Sequence, residues 1–277
     1  MNRLLKALLL PAFALSLSGC STSSVYPNQE KYVAGSQVYE GTLTTLNVNY
    51  QSGELTLVED PTASNISVIE EGDFDNRYQV HSYFEDNTLN VQFMASGVTY
   101  RAGQLTKRLT ITYPSVTNLA VDMTSGQFNA EKINAFNASI ELTCGKIALT
   151  SISATNLAMS ITSGTIDINK IEASNVNVSI TSGQLMVGSL SALKANFSGT
   201  SGSVLMNLVY LDEMNISLTS GNIDLTVPSC GASFKVEKTS GSFSSIQPYM
   251  VVNDRYNYGE AHAIINLTIT SGSILIR

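Results

Sequence analysis

Glycines recur along this chain at a fixed interval, and this is the feature that most restricts how the chain can fold. Five successive intervals of 19 residues separate the first six, and two more glycines follow after 20 and 31 residues. In order they are Gly126, Gly145, Gly164, Gly183, Gly202, Gly221, Gly241 and Gly272. A constant interval of this kind indicates an array of structural repeats.

Within each repeat, apolar residues alternate with polar ones around the glycine. They lie seven, five and three positions before it, and again two and four positions after it. In one repeat these residues are Leu157, Met159, Ile161, Ile166 and Ile168. Since a step of two is the period of a strand and not of a helix, each repeat predicts two short strands that meet at a glycine corner.

Short strands at this interval predict an all-β fold, a parallel β-solenoid with coils of about 19 residues stacked on one another. A β-propeller blade would need about 40 residues, which is too many. Glycine suits one corner because a sharp bend often requires a positive φ. At the other corner Asn137, Asn156 and Asn175 recur, and asparagine tolerates the left-handed conformation and can stack its amides.

The irregular ends of the array set the predicted domain organisation. A degenerate copy surrounds Gly53, and the alternating segments that follow it predict antiparallel strands that cap the N-terminal end of the stack. We therefore expect one β-solenoid domain over residues 40–277. It comprises an irregular coil and meander at 40–118, regular coils at 119–245, and a loop with the last coil at 246–277.

The N-terminus has the pattern of a secreted lipoprotein. Arg3 and Lys6 precede an apolar run that ends in Leu-Ser-Gly-Cys, which resembles the lipobox of bacterial lipoproteins. We predict a signal peptide at 1–19, a lipidated Cys20 carrying acyl chains such as palmitate, and a lipidated Cys and spacer at 20–39. The alternative is an ordinary secretory signal. A lipid anchor predicts the cell envelope, at the outer membrane or the extracytoplasmic face of the cell membrane.

Charge restricts the kinds of partner that this chain can bind, and its cysteine content restricts the disulfides that it can form. Removal of the leader leaves 13 basic and 22 acidic residues, a net charge of −9, which disfavours nucleic acid and anionic lipid surfaces. Only Cys144 and Cys230 then carry thiols. They lie about four coils apart, well beyond the roughly 7 Å between Cα atoms that a disulfide spans. The core, and not a disulfide, must hold the chain together.

Three passages resemble a known family: LNVNYQSGELTL, LTITYPSVTNLAVDMTSGQF and YGEAHAIINLTITSGSILI. With the ladder of Thr-Ser-Gly repeats, they make the chain similar to the bacterial β-strand-repeat domain labelled "putative adhesin", a domain of unknown function. The resemblance covers roughly residues 40–277. It implies a single β-solenoid domain on the cell envelope, and it supplies no catalytic motif.

Candidate binding residues lie six, four and two positions before the glycines, where the alternation turns side chains outward. In the middle coils they are Asn177, Ser179, Thr181, Asn196, Ser198, Thr200, Asn215, Ser217 and Thr219. Stacked columns of small polar groups also stabilise a sheet by themselves. The face is therefore either structural or a surface for a glycan, ice or a protein partner.

Candidate catalytic residues are few. Asp122 and Glu141 share one outward column on adjacent coils about 5 Å apart, the spacing of a retaining glycosidase, but on a convex surface. His81 and His262 are far apart, so we expect no metal and no cofactor. The chain is predicted to be non-enzymatic and to serve adhesion, scaffolding or envelope sensing. The alternative is a polysaccharide-acting enzyme or a glycan-binding protein.

Two further segments stand out. EEGDFDN, at 70–76, predicts an acidic hairpin tip, with a calcium site as the alternative. The segment 246–260 interrupts the repeat and contains Tyr249, Arg255, Tyr256 and Tyr258, which predict either a lid over the last coil or a contact with a partner. If that segment leaves the last coil open, its edge could pair with another molecule.

Overall fold

The computed structural model describes residues 21–23, 25–101, 105 and 107–277. Its strands confirm the predicted all-β class: 14 of them form one mixed sheet, and β1 and β9 form a separate pair. The strands in chain order are β1 (Ser21–Ser23), β2 (Val33–Ala34), β3 (Gln37–Tyr39), β4 (Thr45–Tyr50), β5 (Glu54–Glu59), β6 (Ile66–Glu71), β7 (His81–Glu85), β8 (Thr88–Gln92), β9 (Thr99–Arg101), β10 (Arg108–Tyr113), β11 (Asn118–Thr226), β12 (Ala232–Lys238), β13 (Ser242–Ser245), β14 (Met250–Val252), β15 (Arg255–Tyr258) and β16 (Ala263–Ile276). One 3₁₀ turn, Gln29–Lys31, precedes β2.

The strand β11 contains most of the repeats and runs without interruption for 109 residues. Residues 19 positions apart in it lie against each other; the side chain of Asn137, for example, donates to that of Asn118 at 2.8 Å. The apolar positions predicted to face inward are buried, and residues such as Leu157 and Ile166 are at most 1% exposed. They join one continuous hydrophobic core that extends from the N-terminal strands to β16.

The repeated glycines are needed both for their backbone angle and for the closeness of the next repeat. Gly164 has a φ of 140°, and a Cβ built on it would lie 1.9 Å from the carbonyl oxygen of Gly145. The other glycines of the series also have positive φ and touch the glycine of a neighbouring repeat. A side chain here would strain the backbone and force adjacent repeats apart.

At the N-terminal end, the expected antiparallel cap is only partly antiparallel. The outer strands are antiparallel to their neighbours, since β7 pairs antiparallel with β8, and β6 pairs antiparallel with β10. However, β8 stacks parallel on β4, and β10 parallel on β5, so both continue the ladder that β11 begins. The reason is their alternation of apolar and polar residues, which matches that of the repeats and presents the same buried face.

A buried ion pair lies inside this end of the molecule. The ammonium of Lys107 is 2.7 Å from a carboxylate oxygen of Glu70, and the two side chains are 0% and 4% exposed. Lys107 also donates to the carbonyls of Tyr78, at 2.7 Å, and Phe93, and lies 4.2 Å from the Phe93 ring centre. Burial raises the pKa of Glu70 and lowers that of Lys107, while their mutual attraction opposes both shifts. Glu70 therefore belongs to the core and not to an exposed acidic tip.

Part of the segment predicted as a spacer packs against the N-terminal end. The Tyr26 side chain is buried, its hydroxyl donates to the Met94 carbonyl at 2.9 Å, and burial raises its pKa to about 12. Downstream, β2 pairs with β7 and β3 pairs with β6. Cys20 and the predicted signal peptide lie outside the described residues. Among the residues described, no helix has the length and apolar character needed to cross a membrane.

The C-terminal end does not follow the order of the sequence. After β11 the chain forms β12 and β13, then the hairpin β14–β15, and returns as β16 between β11 and β12. Gly272 therefore contacts Gly221 on one side and Gly241 on the other. The hairpin, which turns at Asn253 and Asp254 with positive φ, belongs to the segment 246–260 and lies at the end of the sheet. The last repeat in sequence is thus covered on both edges, and β14 occupies the end position.

Candidate binding face

The outward columns predicted from the repeat form one polar surface. Eight of the nine candidate residues are exposed and Asn215 is partly buried, while the residues between them in the chain mostly point into the core. We call the surface formed by the positions eight, six, four and two before each glycine the polar face. Most of its side chains are amides, hydroxyls and alanines, with a few charged groups such as Asp122, Glu141 and Lys194, so hydrogen bonding is the main chemistry that it offers.

Asparagines of the polar face are hydrogen-bonded to one another in a ladder along the stack. The Asn196 amide donates to Asn177 at 3.1 Å, Asn215 donates to Asn196 at 3.1 Å, and Asn266 donates to Asn215 at 2.9 Å. The Arg255 guanidinium donates to the free oxygen of Asn266 at 3.2 Å and so ends the ladder. We call this the C-terminal ladder. In it, each amide after that of Asn177 donates an N–H to the side-chain oxygen of the neighbouring asparagine on one side.

A second ladder lies two residues to one side, nearer the N-terminal end. Asn137 donates to Asn118 at 2.8 Å, Asn156 to Asn137 at 2.9 Å and Asn175 to Asn156 at 3.0 Å. This N-terminal ladder stands eight positions before the glycines, whereas the C-terminal ladder stands six before them. The two overlap only in the repeat of Gly183, which carries both Asn175 and Asn177.

Where the ladder shifts sideways, small residues leave a depression in the polar face. Ala120, Ser139 and Ala158 occupy the column that Asn177 begins to fill. Three adjoining depressions of about 200, 240 and 230 Å³ lie over them, and Ser139 lines all three. We call this continuous depression the trough. It is open to solvent and runs along the stack, with Asn47 at one end and Asn177 at the other.

The two acidic residues considered for catalysis lie at this trough. Asp122 and Glu141 line its 240 Å³ part, together with Asn49 and Gln92, and both carboxylates are exposed. Ionised carboxylates accept hydrogen bonds and donate none, so this wall suits hydroxyl or amine groups of a ligand. The opposite wall is the N-terminal ladder, whose amides each retain at least one N–H and one lone pair.

Only part of the predicted binding set adjoins the trough. Asn177, Ser179, Asn196 and Ser198 line its 200 Å³ part, and the three threonines line none of the three depressions. The residues that form the floor were missed because small side chains carry no chemistry of their own. The signal was present nevertheless, in the replacement of asparagine by alanine or serine at one column over three repeats.

The four candidate loop residues are mostly engaged within the molecule. Arg255 donates to the hydroxyl and carbonyl of Ser233 at 2.7 and 2.6 Å, in addition to Asn266. Tyr258 is 2% exposed, and Tyr256 lies on the ring of Phe243 at 4.4 Å between centres. Tyr249 is the one that stays largely exposed, at 44%.

Other reactive groups do not come together at the polar face. The His262 imidazole lies 3.3 Å from Asp212 near the C-terminal end, whereas His81 binds the Gln79 carbonyl at the N-terminal end. Cys144 and Cys230 are free, and Cys144 is exposed. In the described part of the chain, no three His, Cys, Asp or Glu side chains are placed to hold a metal ion.

Comparison with solved structures finds proteins that align over most of both chains but have remote sequences. A "putative adhesin" from Bacteroides fragilis is 13% identical with a TM-score of 0.47, over 90% of this chain and 98% of the other. One from Parabacteroides distasonis is 12% identical with a TM-score of 0.48, over 87% and 96%. A "putative lipid binding protein" from the latter organism is 12% identical with a TM-score of 0.45, over 88% and 97%.

No curated protein matches the sequence significantly. The family model described as Toastrack DUF4097, however, matches residues 37–189, which is more than half of the chain. The match begins at β3 and includes the N-terminal ladder and the whole floor of the trough. The chain therefore belongs to the Toastrack DUF4097 family.

Proposed function

We propose that this chain is a non-enzymatic, lipid-anchored protein of the bacterial cell envelope whose repeats wind as a parallel β-solenoid with 19-residue coils and present the polar face for adhesion. The anchor is supported by the lipobox at Cys20 and the basic and apolar segments before it. The solenoid is supported by the glycine contacts and the two asparagine ladders, which within β11 join residues 19 positions apart. The strand β16 adds Gly272 and Asn266, each of which contacts a residue of β11 that is 51 positions away.

The trough is the observation that carries the adhesive function. Over three repeats at roughly 4.8 Å each, it is about 14 Å long and bounded by amides on one side and carboxylates on the other. A linear, uncharged, hydroxyl-rich ligand fits this lining, because hydroxyls can donate to carboxylates and exchange hydrogen bonds with the unused groups of the amides. We therefore propose a glycan chain that lies along the stack as the adhesive ligand.

Hydrolysis of that glycan is the alternative, since Asp122 and Glu141 line the same part of the trough. A retaining glycosidase places two carboxyl groups at about this spacing around the bond that it cleaves. Its acid, however, needs a raised pKa, which proteins obtain by burial in an apolar pocket. Both carboxylates here are exposed on an open surface, so binding without turnover is the better account.

Filling the trough tests the proposal. Ser139→Leu places a branched apolar side chain at the centre of all three depressions, and we expect it to weaken glycan binding roughly tenfold or more because it displaces the ligand from both walls. Thr143→Leu adds the same side chain on the same strand at an exposed position four residues away, and it serves as the matched control. Binding to a glycan array, followed by titration of the bound sugars, measures both.

The same glycans, analysed for cleavage products, separate adhesion from catalysis. We expect binding without products, and we expect Asp122→Asn and Glu141→Gln to alter affinity only. Turnover that either substitution abolishes would overturn the non-enzymatic function. Equal loss of binding in the Ser139 and Thr143 variants would overturn the trough as the site.

A further inference from the structure

The strand at the C-terminal end of the sheet, β14, has an exposed edge with an unusual composition. Among the described residues its one paired neighbour is β15. Met250, Val251 and Val252 are 68%, 60% and 49% exposed, and Ile246 nearby is 69% exposed. No charged residue occurs between Ile246 and Asn253. Exposed edge strands normally carry charges because these prevent pairing with other chains. This edge has no such protection.

The opposite end of the sheet treats the same problem differently. Its outermost strands are β2 and β3, which have only two and three residues. The ion pair between Lys31 and Glu85 stands beside β2, and Glu40 directly follows β3. Very short, charge-flanked strands offer little to an incoming strand. A head-to-tail contact between β14 and either of these strands would therefore be poor, so a filament of stacked copies is not the expected assembly.

We propose that β14 pairs antiparallel with β14 of a second copy of this chain. About a two-fold axis at Val251, the two Val251 residues face each other and Met250 faces Val252. Asp254 then stands opposite Pro248, so no like charges meet across the pair. The contact uses the same surface twice and therefore closes as a dimer. A neutral, apolar edge of this kind suits itself better than it suits a charged partner.

The size of the surface indicates a weak contact. A three-residue strand with a few flanking side chains falls short of the roughly 1,200 Å² that stable complexes bury. Pairing should therefore be transient between single molecules and become strong only when many copies act together. Copies held on a membrane meet that condition.

The direction of pairing decides which membranes are joined. Strands add along the hydrogen-bonding direction, which is the axis of the stack, so a second copy on β14 extends away from the first. Near the other end, Ser21 of β1 pairs with Arg101 of β9. Tyr100, also in β9, packs against Phe93 with 5.1 Å between the ring centres. The two N-terminal ends therefore point in opposite directions. Resting on the proposed lipid anchor at Cys20, this geometry tethers two facing membranes and does not cluster copies within one.

Cross-linking tests the contact itself. In a full chain whose Cys144 and Cys230 are replaced by serine, Val251→Cys should give a disulfide-linked dimer, because the two residues 251 meet at the axis. Val209→Cys, at another exposed valine that lies within β11 and away from the free edge, is the control and should stay monomeric. Equal cross-linking of the two variants, or none in either, would overturn the proposal.

Charge substitution in vesicles tests the tethering. Full-length lipidated chains with Val251→Lys or Val251→Glu, each in its own neutral phosphatidylcholine vesicles, should aggregate roughly tenfold more slowly than wild type because like charges face each other. Mixing the two vesicle populations should restore aggregation, as lysine then faces glutamate. Aggregation that ignores the substitutions, or a cross-linked dimer whose vesicles never aggregate, would overturn membrane tethering through β14.

These results remain separable from the proposed glycan function. Val251→Lys lies far from the trough and should leave glycan binding unchanged, whereas Ser139→Leu should leave vesicle aggregation unchanged. The mass of the purified chain reports the lipid on Cys20 in the same preparation. A lipidated chain that binds glycan but does not tether vesicles would therefore remove this inference alone.

Discussion

The two ends of the stack are closed by opposite means. At the N-terminal end, short strands close the sheet around the buried pair of Lys107 and Glu70, and aromatic rings enclose the ammonium group. At the C-terminal end a single hairpin, β14–β15, pairs with β12, and apolar side chains of β14 face solvent. One end is thus sealed by a polar core, and the other presents a bare strand.

This difference shows that the two terminal edges of a repeat array can be protected in different ways. Interior repeats bury each other, so only the terminal ones must manage exposed edges. A buried ion pair adds little net stability compared with apolar residues, but removal of one partner is severe. We therefore expect the pair to favour one arrangement of the N-terminal strands over others. The ion pairs described at the C-terminal end lie on the surface, and β14 there has a free edge to which another strand can be added.

The largest expected effect comes from breaking the buried pair. Glu70→Gln leaves the Lys107 ammonium without its counter-charge inside the core, and we expect a loss of about 3–5 kcal/mol in the free energy of unfolding. Urea denaturation measures it, and amide hydrogen exchange should rise in β5, β6 and β10 but not in β16. Glu71→Gln, on the exposed neighbouring side chain, is the control and should be near neutral.

A double variant keeps this prediction testable if the single one folds poorly. Glu70→Gln with Lys107→Met removes both charges and should recover most of the lost stability, since apolar replacement of a whole pair is often neutral. Equal damage from the single and double variants would show that packing volume, and not the unpaired charge, explains the loss.

A smaller effect is expected from the polar anchor at the other end. Arg255 binds Ser233, Asn266 and the carbonyl of Ile265. Arg255→Met removes these charge-assisted hydrogen bonds but keeps the side-chain stem, and we expect a loss of about 2 kcal/mol. Hydrogen exchange should rise in β12 and β15 while β10 stays protected. Lys235→Met removes only a surface pair with Glu237 and should change stability by less than about 0.5 kcal/mol.

If instead Arg255→Met raised exchange at both ends of the stack, the two ends would unfold as one unit. The comparison between an independently locked N-terminal end and a separately anchored hairpin would then be wrong. Repeat arrays often unfold locally because each unit contacts only its neighbours, so we expect the effects to stay separate.

The sequence predicts the repeats well because their information is local. The glycine interval and the alternation around it place Ile166 and Ile168 in the core, and the positive φ of Gly164 follows from its corner position. Membership of the polar face follows from the same alternation. Each of these features is decided by residues a few positions apart, within one repeat.

Features that depend on distant residues escaped prediction. Glu70 and Lys107 are 37 positions apart and lie outside the regular repeats, and nothing near Glu70 indicates a buried cation. The insertion of β16 between β11 and β12 escaped because all repeats share one pattern, which does not specify the order of stacking. The trough escaped because Ala120 and Ala158 act by the volume that they leave empty, which becomes visible only between the neighbouring columns.

The smallest expected effect concerns the two asparagine ladders and ties them to the same contrast between the ends. Asn196→Ala interrupts the C-terminal ladder, which Arg255 ends with a charged donor, and should lower the free energy of unfolding by about 0.5–1 kcal/mol. Asn156→Ala interrupts the N-terminal ladder, and among the described residues no charged donor is bonded to that ladder. A charged end polarises a chain of hydrogen bonds, so we expect the Asn196 effect to be the larger of the two. Urea denaturation of both variants, with the exposed Ser198→Ala as a control, measures the difference. In an Arg255→Met background the two losses should become equal, and a difference that persists there would show that the charge does not strengthen the ladder.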